Sequence, residues 1–270
     1  NLALEVHHEE LLDPFACVSM PQRGLRWRLE LLCPIAVQVL AQWPPQAFGP
    51  VGIVADVPSY VEYVHTQERA NVEKISTQWV ESVDILLLTE WLSAHSPLRH
   101  SFGLCHGTRR GLEQKWFLEG LGWENGSGTV LGTEISATAW KFPNTIQWDF
   151  HDVKPEWVGS ADFVYSNALD HSFNPRLALT RWFQCLGDDG VLILEHSINS
   201  EILEAWNGDI FVASFSEYLE LLLSINGTQI LDVLHSRGSW AQSRKLRMII
   251  AAKSSFRPRH PNSIYTSQLP

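Results

Sequence analysis

Apolar and polar positions fall into a strand-then-helix rhythm over residues 101–253. Short apolar runs at Ser101–Cys105, Thr129–Gly132, Thr145–Trp148, Ala161–Tyr165, Val191–Glu195, Thr228–Leu234 and Leu246–Ala252 predict seven strands. Helical patterns at Leu112–Leu121, Arg176–Leu186 and Phe215–Ser224 lie between them, and Asp188-Asp189-Gly190 predicts a turn before the fifth strand. Strands alternating with helices predict an α/β fold, a seven-stranded mostly parallel sheet with helices on both faces. The close sixth and seventh strands fit an antiparallel pair at one edge.

Upstream, Leu25–Gln42 predicts a helix kinked at Pro34, followed by Trp43-Pro44-Pro45 and a Gly/Pro-rich stretch. Residues 1–58 therefore read as an N-terminal helical appendage and linker. Ser59 is a helix cap with Glu62 as its capping-box partner. Tyr60, Val64, Val72, Ile75 and Trp79 form an interrupted helical stripe, and a further helix is expected over Val83–Ser93. The helices of 59–98 read as lid-like parts of an α/β domain spanning 59–253, with 254–270 as a flexible tail.

Composition narrows the function. Of 270 residues, 45% are apolar and 19% charged, enough for an ordinary core; the 12 tryptophans add core volume. A net charge of −10 disfavours nucleic acid and anionic membranes as partners. Arg237, Arg244, Lys245 and Arg247 read as a solvated strand edge. The longest apolar stretch, Leu25 to Trp43, is broken by Arg26, Arg28, Glu30 and Pro34, so no membrane span is expected. Cys17, Cys33, Cys105 and Cys185 form no C-x-x-C pair, which suggests a reduced, cytoplasmic setting. The chain begins with Asn, so a trimmed N-terminus is expected.

In open parallel sheets ligands bind beyond the carboxyl ends of the strands. There the sequence offers Cys105-His106-Gly107-Thr108-Arg109-Arg110-Gly111, then Glu134-Ile135, then Asp149-Phe150-His151-Asp152, then Asn167, Asp170 and His171, and finally Glu195 and His196. Gly107 lets backbone approach a ligand. Glu134 can accept both hydroxyls of a ribose, and Asp149 the exocyclic amine of an adenine, with the apolar face of Phe150 beside it. His106, His151, Asp152, Asp170 and His171 carry metal-ligand chemistry. No H-E-x-x-H or paired-Cys spacing gathers them, so no metal is expected.

A glycine turn, a strand-end Glu, a strand-end Asp and then Ala161-Asp162-Phe163-Val164-Tyr165-Ser166-Asn167-Ala168-Leu169-Asp170-His171 form an order similar to that of the class I S-adenosylmethionine-dependent methyltransferases. Leu177–Leu194 looks like that family's next helix and strand. The resemblance covers roughly residues 100–253 and implies a Rossmann-like fold with S-adenosylmethionine as cofactor. Gly107 would lie at the methionine end, Glu134 at the ribose, and Asp149 with Phe150 at the adenine; Cys105, His106, Arg109, Ile135 and Asn167 would also meet the cofactor. The glycine motif departs from the family's: Gly103 stands where an acid is usual, and Cys105 and Arg109 replace glycines, leaving Arg109 or Arg110 to meet the cofactor carboxylate.

Three functions are compatible with these residues, the least favoured being a Rossmann enzyme for another nucleotide ligand. The first is a methyltransferase acting on a small-molecule acceptor at oxygen or nitrogen. The second is a degenerate, non-catalytic relative used for binding or assembly. For the first, His171 is the expected general base, since a free imidazole titrates near ~6.5, with Asp170 as its carboxylate.

Overall fold

The computed structural model describes residues 52–197, 208–243 and 245–259. The expected helix Leu25–Gln42 lies outside them. Nine strands and six helices follow in chain order among the described residues: β1 (Ile53–Val54), α1 (Tyr60–Glu73), α2 (Ser82–His95), β2 (Phe102–His106), α3 (Leu112–Leu121), β3 (Thr129–Glu134), β4 (Thr145–Gln147), β5 (Ala161–Ser166), α4 (Pro175–Cys185), β6 (Leu186–His196), β7 (Phe211–Val212), α5 (Phe215–Leu223), β8 (Thr228–His235), α6 (Ser239–Ser243) and β9 (Arg247–Lys253).

Seven strands form one sheet in the order β4-β3-β2-β5-β6-β9-β8. β2 pairs in parallel with β3 and β5, and β6 in parallel with β5. β9 runs antiparallel to both β6 and β8, so the expected antiparallel pair sits at one edge, with β9 inserted inside β8. The chain leaves β4 at one edge and returns as β5 on the far side of β2. The β2/β5 junction is therefore the switch point at which such sheets leave a crevice.

Alternation along the strands feeds two cores. On one face Leu104, Val164, Leu192 and Ile249 pack with Leu179 and Trp182 of α4 and Leu222 of α5. On the other, Cys105, Phe163, Ile193 and Ile250 pack with Leu88 and Leu92 of α2 and Phe117 of α3. Gly103 explains itself here: a Cβ at that position would lie 2.2 Å from the ring of Phe163, so an acid in mid-strand is excluded by packing.

Several expectations change. β6 starts at Leu186 and takes in Asp188-Asp189-Gly190; the turn signal falls where the pairing with β5 shifts register, between Ala161 and Phe163. The linker end pairs, because β1 joins β7 in a second, two-stranded sheet. The start of the expected tail packs back: Phe256 is buried and the Arg259 amide donates to His95 O at 2.8 Å. Ser59 caps α1 as expected, its Oγ accepting from Glu62 N. The apolar stripe does not hold. α1 ends at Glu73, before Ile75 and Trp79, and Val72 is exposed. The buried positions are Tyr63, Gln67 and Asn71, one polar row at helical spacing. A helix covering a polar crevice, rather than a hydrocarbon core, has its inward face chosen by hydrogen bonding.

Candidate functional site

The crevice opens at the carboxyl ends of β2, β3 and β5. It is walled by Gly107, Arg109, Glu134, Ile135, Asp149, Phe150, Asn167, Asp170 and His171, and covered by the Tyr63, Gln67 and Asn71 row of α1. Most of the residues expected at the site thus converge. Two do not line it. Cys105 is sealed in the core against α2 and α3. His106 is buried, with Nδ1 2.9 Å from Thr133 Oγ1 and its ring stacked on Trp182. Both belong to β2 proper, whose side chains alternate into the two cores. Burial holds the His106 imidazole neutral, with its pKa lowered to about 3.

After β2 the chain turns on Gly107 at φ +72, and a Cβ there would meet that of Ala168 at 2.4 Å. No side chain fits between the β2 and β5 loops. Thr108 braces the loop: its amide donates to Thr133 O, and its hydroxyl lies 2.8 Å from Glu113 Oε2 and 2.7 Å from Gln114 Oε1, at the start of α3. Arg109 donates from Nη1 to Thr77 O at 3.0 Å. Its Nε is buried without a hydrogen-bond partner, a donor left facing no acceptor. Burial lowers the guanidinium's pKa, and Glu134 and Glu113 oppose that.

Glu134 closes β3. Burial pushes its carboxyl up to about 7, against the Ser136 amide, Arg109, His171 and the Asn71 side chain. Ser136 N donates to Glu134 Oε1 at 3.0 Å.

Asp149 is held by three hydrogen bonds. Oδ1 accepts from His151 N at 2.9 Å and lies 2.7 Å from His151 Nδ1; Oδ2 accepts from the Tyr60 hydroxyl at 2.8 Å. His151 Nε2 in turn lies 2.6 Å from Ser172 Oγ. Burial alone would raise Asp149, but the charge and hydrogen bonds of His151 bring it below the usual carboxylate range. The His151 ring stacks on Phe173.

At the opposite end, His171 Nδ1 lies 3.0 Å from Gly208 O and 3.4 Å from Asp209 Oδ1. Asp170 was expected to be the carboxylate partner of His171; Asp209 is the one in ion-pair reach. Asp170 Oδ1 is shut off from solvent with no hydrogen-bond partner. Burial, then the neighbouring Asp209, raise the Asp170 carboxyl. Asp170, His171 and Asp209 bring one polar atom each within 4.8 Å of one another. Asp209 and the α1 row escape sequence reading because no local pattern ties them to the strand ends. The polar spacing Tyr63-Gln67-Asn71 was the available signal.

No family model matches the chain, and no curated protein matches it. Solved structures do. The chain is similar to the Burkholderia thailandensis 1,6-didemethyltoxoflavin-N1-methyltransferase, solved with S-adenosylhomocysteine, at 14% identity and a TM-score of 0.54, over 75% of this chain and 94% of that one. A Rhodobacter sphaeroides structure described under Zn-dependent alcohol dehydrogenases matches at 10% identity and TM-score 0.50, over 71% and 97%. The chain also matches the citrinin polyketide synthase CMeT domain at 18% identity and TM-score 0.41, over 56% of this chain but only 46% of that one. At such identities the likeness is one of fold. The fold is the Rossmann-like one of the class I methyltransferases, seven strands with the last inserted antiparallel.

Proposed function

We propose that this chain is an S-adenosylmethionine-dependent methyltransferase acting on a small-molecule acceptor at oxygen or nitrogen. The observation that carries the reading is convergence: Gly107, Glu134 and Asp149 follow three different strands and wall one crevice at the switch point. The residues fit the cofactor group by group. Arg109, with its unpartnered buried Nε, suits a carboxylate. Glu134 suits a ribose diol. The lone pair left on Asp149 Oδ2 suits an exocyclic amine, with Phe150 as an apolar wall. Gly107 and Asn167 line the methionine side.

When bound, the cofactor supplies an electrophilic methyl group to an acceptor lone pair, leaving S-adenosylhomocysteine. The chain holds the partners in line and excludes water. His171 takes the acceptor proton; Gly208 O and Asp209 anchor its Nδ1, and Asp170 shapes the field beside it. The acidic balance of the chain and its buried free Cys105 and Cys185 fit a cytoplasmic enzyme for small molecules rather than nucleic acid or membrane.

A non-catalytic relative is the second reading, favoured by the three hydrogen bonds already made by Asp149. Titration calorimetry with S-adenosylhomocysteine decides. Binding that stabilises the fold by about 2.7 kcal/mol at a hundredfold excess over Kd is expected. No binding at millimolar ligand, with the protein folded, overturns the proposal.

A further inference from the structure

Two donors from distant elements meet on one carbonyl beside the proposed base. Gln67, buried on the inward row of α1, donates from Nε2 to Gly208 O at 2.8 Å, across 141 positions of sequence. His171 Nδ1 lies 3.0 Å from the same oxygen. A carbonyl oxygen has two lone pairs and no hydrogen to give, so it accepts both bonds, and His171 Nδ1 carries the hydrogen of its own. Asp209 Oδ1, 3.4 Å from Nδ1, is a second acceptor on that side of the ring. A neutral imidazole with its hydrogen on Nδ1 keeps its lone pair on Nε2. The position of Gly208 O therefore decides which nitrogen of His171 can take a proton. Gly208 sits at φ +84, and a Cβ there would crowd that of Ala70 on α1 at 3.1 Å. Further along, Ile210 N donates to Asp170 O at 2.9 Å and Ala55 N to Ile210 O at 2.6 Å. Those backbone bonds hold the segment against the β5 loop but leave the glycine carbonyl able to swing. Gln67 is the side chain that holds it.

We propose that Gln67 is a positioning residue for proton removal: by fixing Gly208 O it keeps the hydrogen of neutral His171 on Nδ1 and leaves Nε2 to take the acceptor's proton. The inference rests on the methyltransferase reading, with His171 as base, for its purpose, though not for the shared carbonyl. In the other tautomer the Nδ1 lone pair would face two oxygens, Gly208 O and Asp209 Oδ1, and Nε2–H could not act as a base. Once Gln67 no longer donates, the carbonyl can leave the ring and one of the two acceptors is lost. Asp209 still favours Nδ1–H, so the shift is partial. The helix covering the crevice thereby acts on the base at one remove, through a backbone carbonyl.

The test is nitrogen-15 NMR on the full chain with labelled histidine rings, at about pH 9, above the ordinary imidazole range. Calorimetry with S-adenosylhomocysteine runs beside it. The His171 signals are assigned with His171→Ala, and the two ring nitrogen shifts tell which atom carries the hydrogen. In wild type the Nδ1–H tautomer should dominate. Gln67→Met keeps most of the side-chain bulk and loses the donor. In that variant the ratio of Nδ1–H to Nε2–H should fall roughly three- to tenfold, the worth of one neutral hydrogen bond, with S-adenosylhomocysteine affinity within about threefold of wild type. Gln67→Glu, unable to donate once ionised, should act the same way and serves if the methionine variant folds poorly. An unmoved ratio in the folded variants would overturn the role of Gln67, and a wild-type ring protonated at Nε2 would overturn the tautomer as well. Either result leaves the cofactor reading intact. The expected fall in a protein that binds no S-adenosylhomocysteine would sustain the hold of Gln67 on the ring and overturn its purpose, together with the methyltransferase reading.

Discussion

The hydroxyl of Tyr60, first residue of α1, donates to Asp149 Oδ2 at 2.8 Å across 89 positions of sequence. The same carboxylate is fixed through Oδ1 by His151, from its own loop. One oxygen is thus oriented locally and the other ties down the covering helix. Gln67, one row further along α1, donates to Gly208 O, the carbonyl that also meets His171. A single helix therefore touches both the Asp149 end and the His171 end of the crevice.

Because His151 still holds Asp149 through Oδ1 when the Tyr60 hydroxyl is gone, Tyr60→Phe should loosen α1 more than it harms recognition. Loss of a hydrogen bond to a charged group costs about 1.5–3 kcal/mol. The expected outcome is a lower melting temperature with S-adenosylhomocysteine affinity within threefold of wild type. A tenfold loss of affinity in calorimetry would show that Tyr60 itself belongs to the binding surface. Asp149→Ala, in contrast, should weaken binding and reduce the preference for adenine over other bases.

Glu134 carries a pH signature with a definite sign. Its folded pKa, about 7, stands above the ordinary 4.5. The folded state keeps a proton that the unfolded chain has released, so the contribution is fully present below pH 4.5 and lost as pH rises through 7. Glu134→Gln removes that loss. At pH 8 the variant should be more stable than wild type by up to roughly 3 kcal/mol in urea denaturation, and no more stable at pH 4.5. It should bind S-adenosylhomocysteine more weakly, so stability and binding move in opposite directions. Equal stability at pH 8 would show that the carboxyl is solvated in solution.

Gly107→Ala should damage the site through backbone and packing together. An L-residue at φ +72 costs about 1–2 kcal/mol, and the new methyl meets Ala168 at 2.4 Å. A lowered melting temperature and a larger loss of cofactor affinity are expected. Adding Ala168→Gly should restore part of the stability by relieving the clash but not the dihedral. If the double variant is no better than the single one, the close approach of the two loops is wrong.

His171→Ala should lower turnover by ~10²–10⁴-fold while leaving S-adenosylhomocysteine affinity within threefold. Asp209→Asn should lower turnover less, because Gly208 O still holds Nδ1. Screening small hydroxylated and amine metabolites as acceptors comes first. Normal turnover in His171→Ala would leave catalysis to positioning alone.

By itself the sequence determined the strands and helices of the sheet, their alternation, and the polar residues placed after β2, β3, β4 and β5. Those features are local: a period of two or 3.6, a glycine, an acid at the end of an apolar run. Gly107, Glu134 and Asp149 were legible because β2, β3 and β4, the strands they follow, are neighbours in the sheet as they are in the chain. The tertiary structure alone decided the rest. Whether Cys105 and His106 face ligand or core depended on where β2 stopped, one residue beyond expectation. The face of α1 could not be read from hydropathy, since Gln67 and Asn71 are buried with hydrogen bonds to Gly208 and Thr138 rather than by apolar contact. Asp209, 38 positions away, became the ion-pair partner of His171, with Asp170 beside the pair. Such pairings depend on packing between distant segments, where the free energy of a polar contact is set by burial that no local pattern encodes.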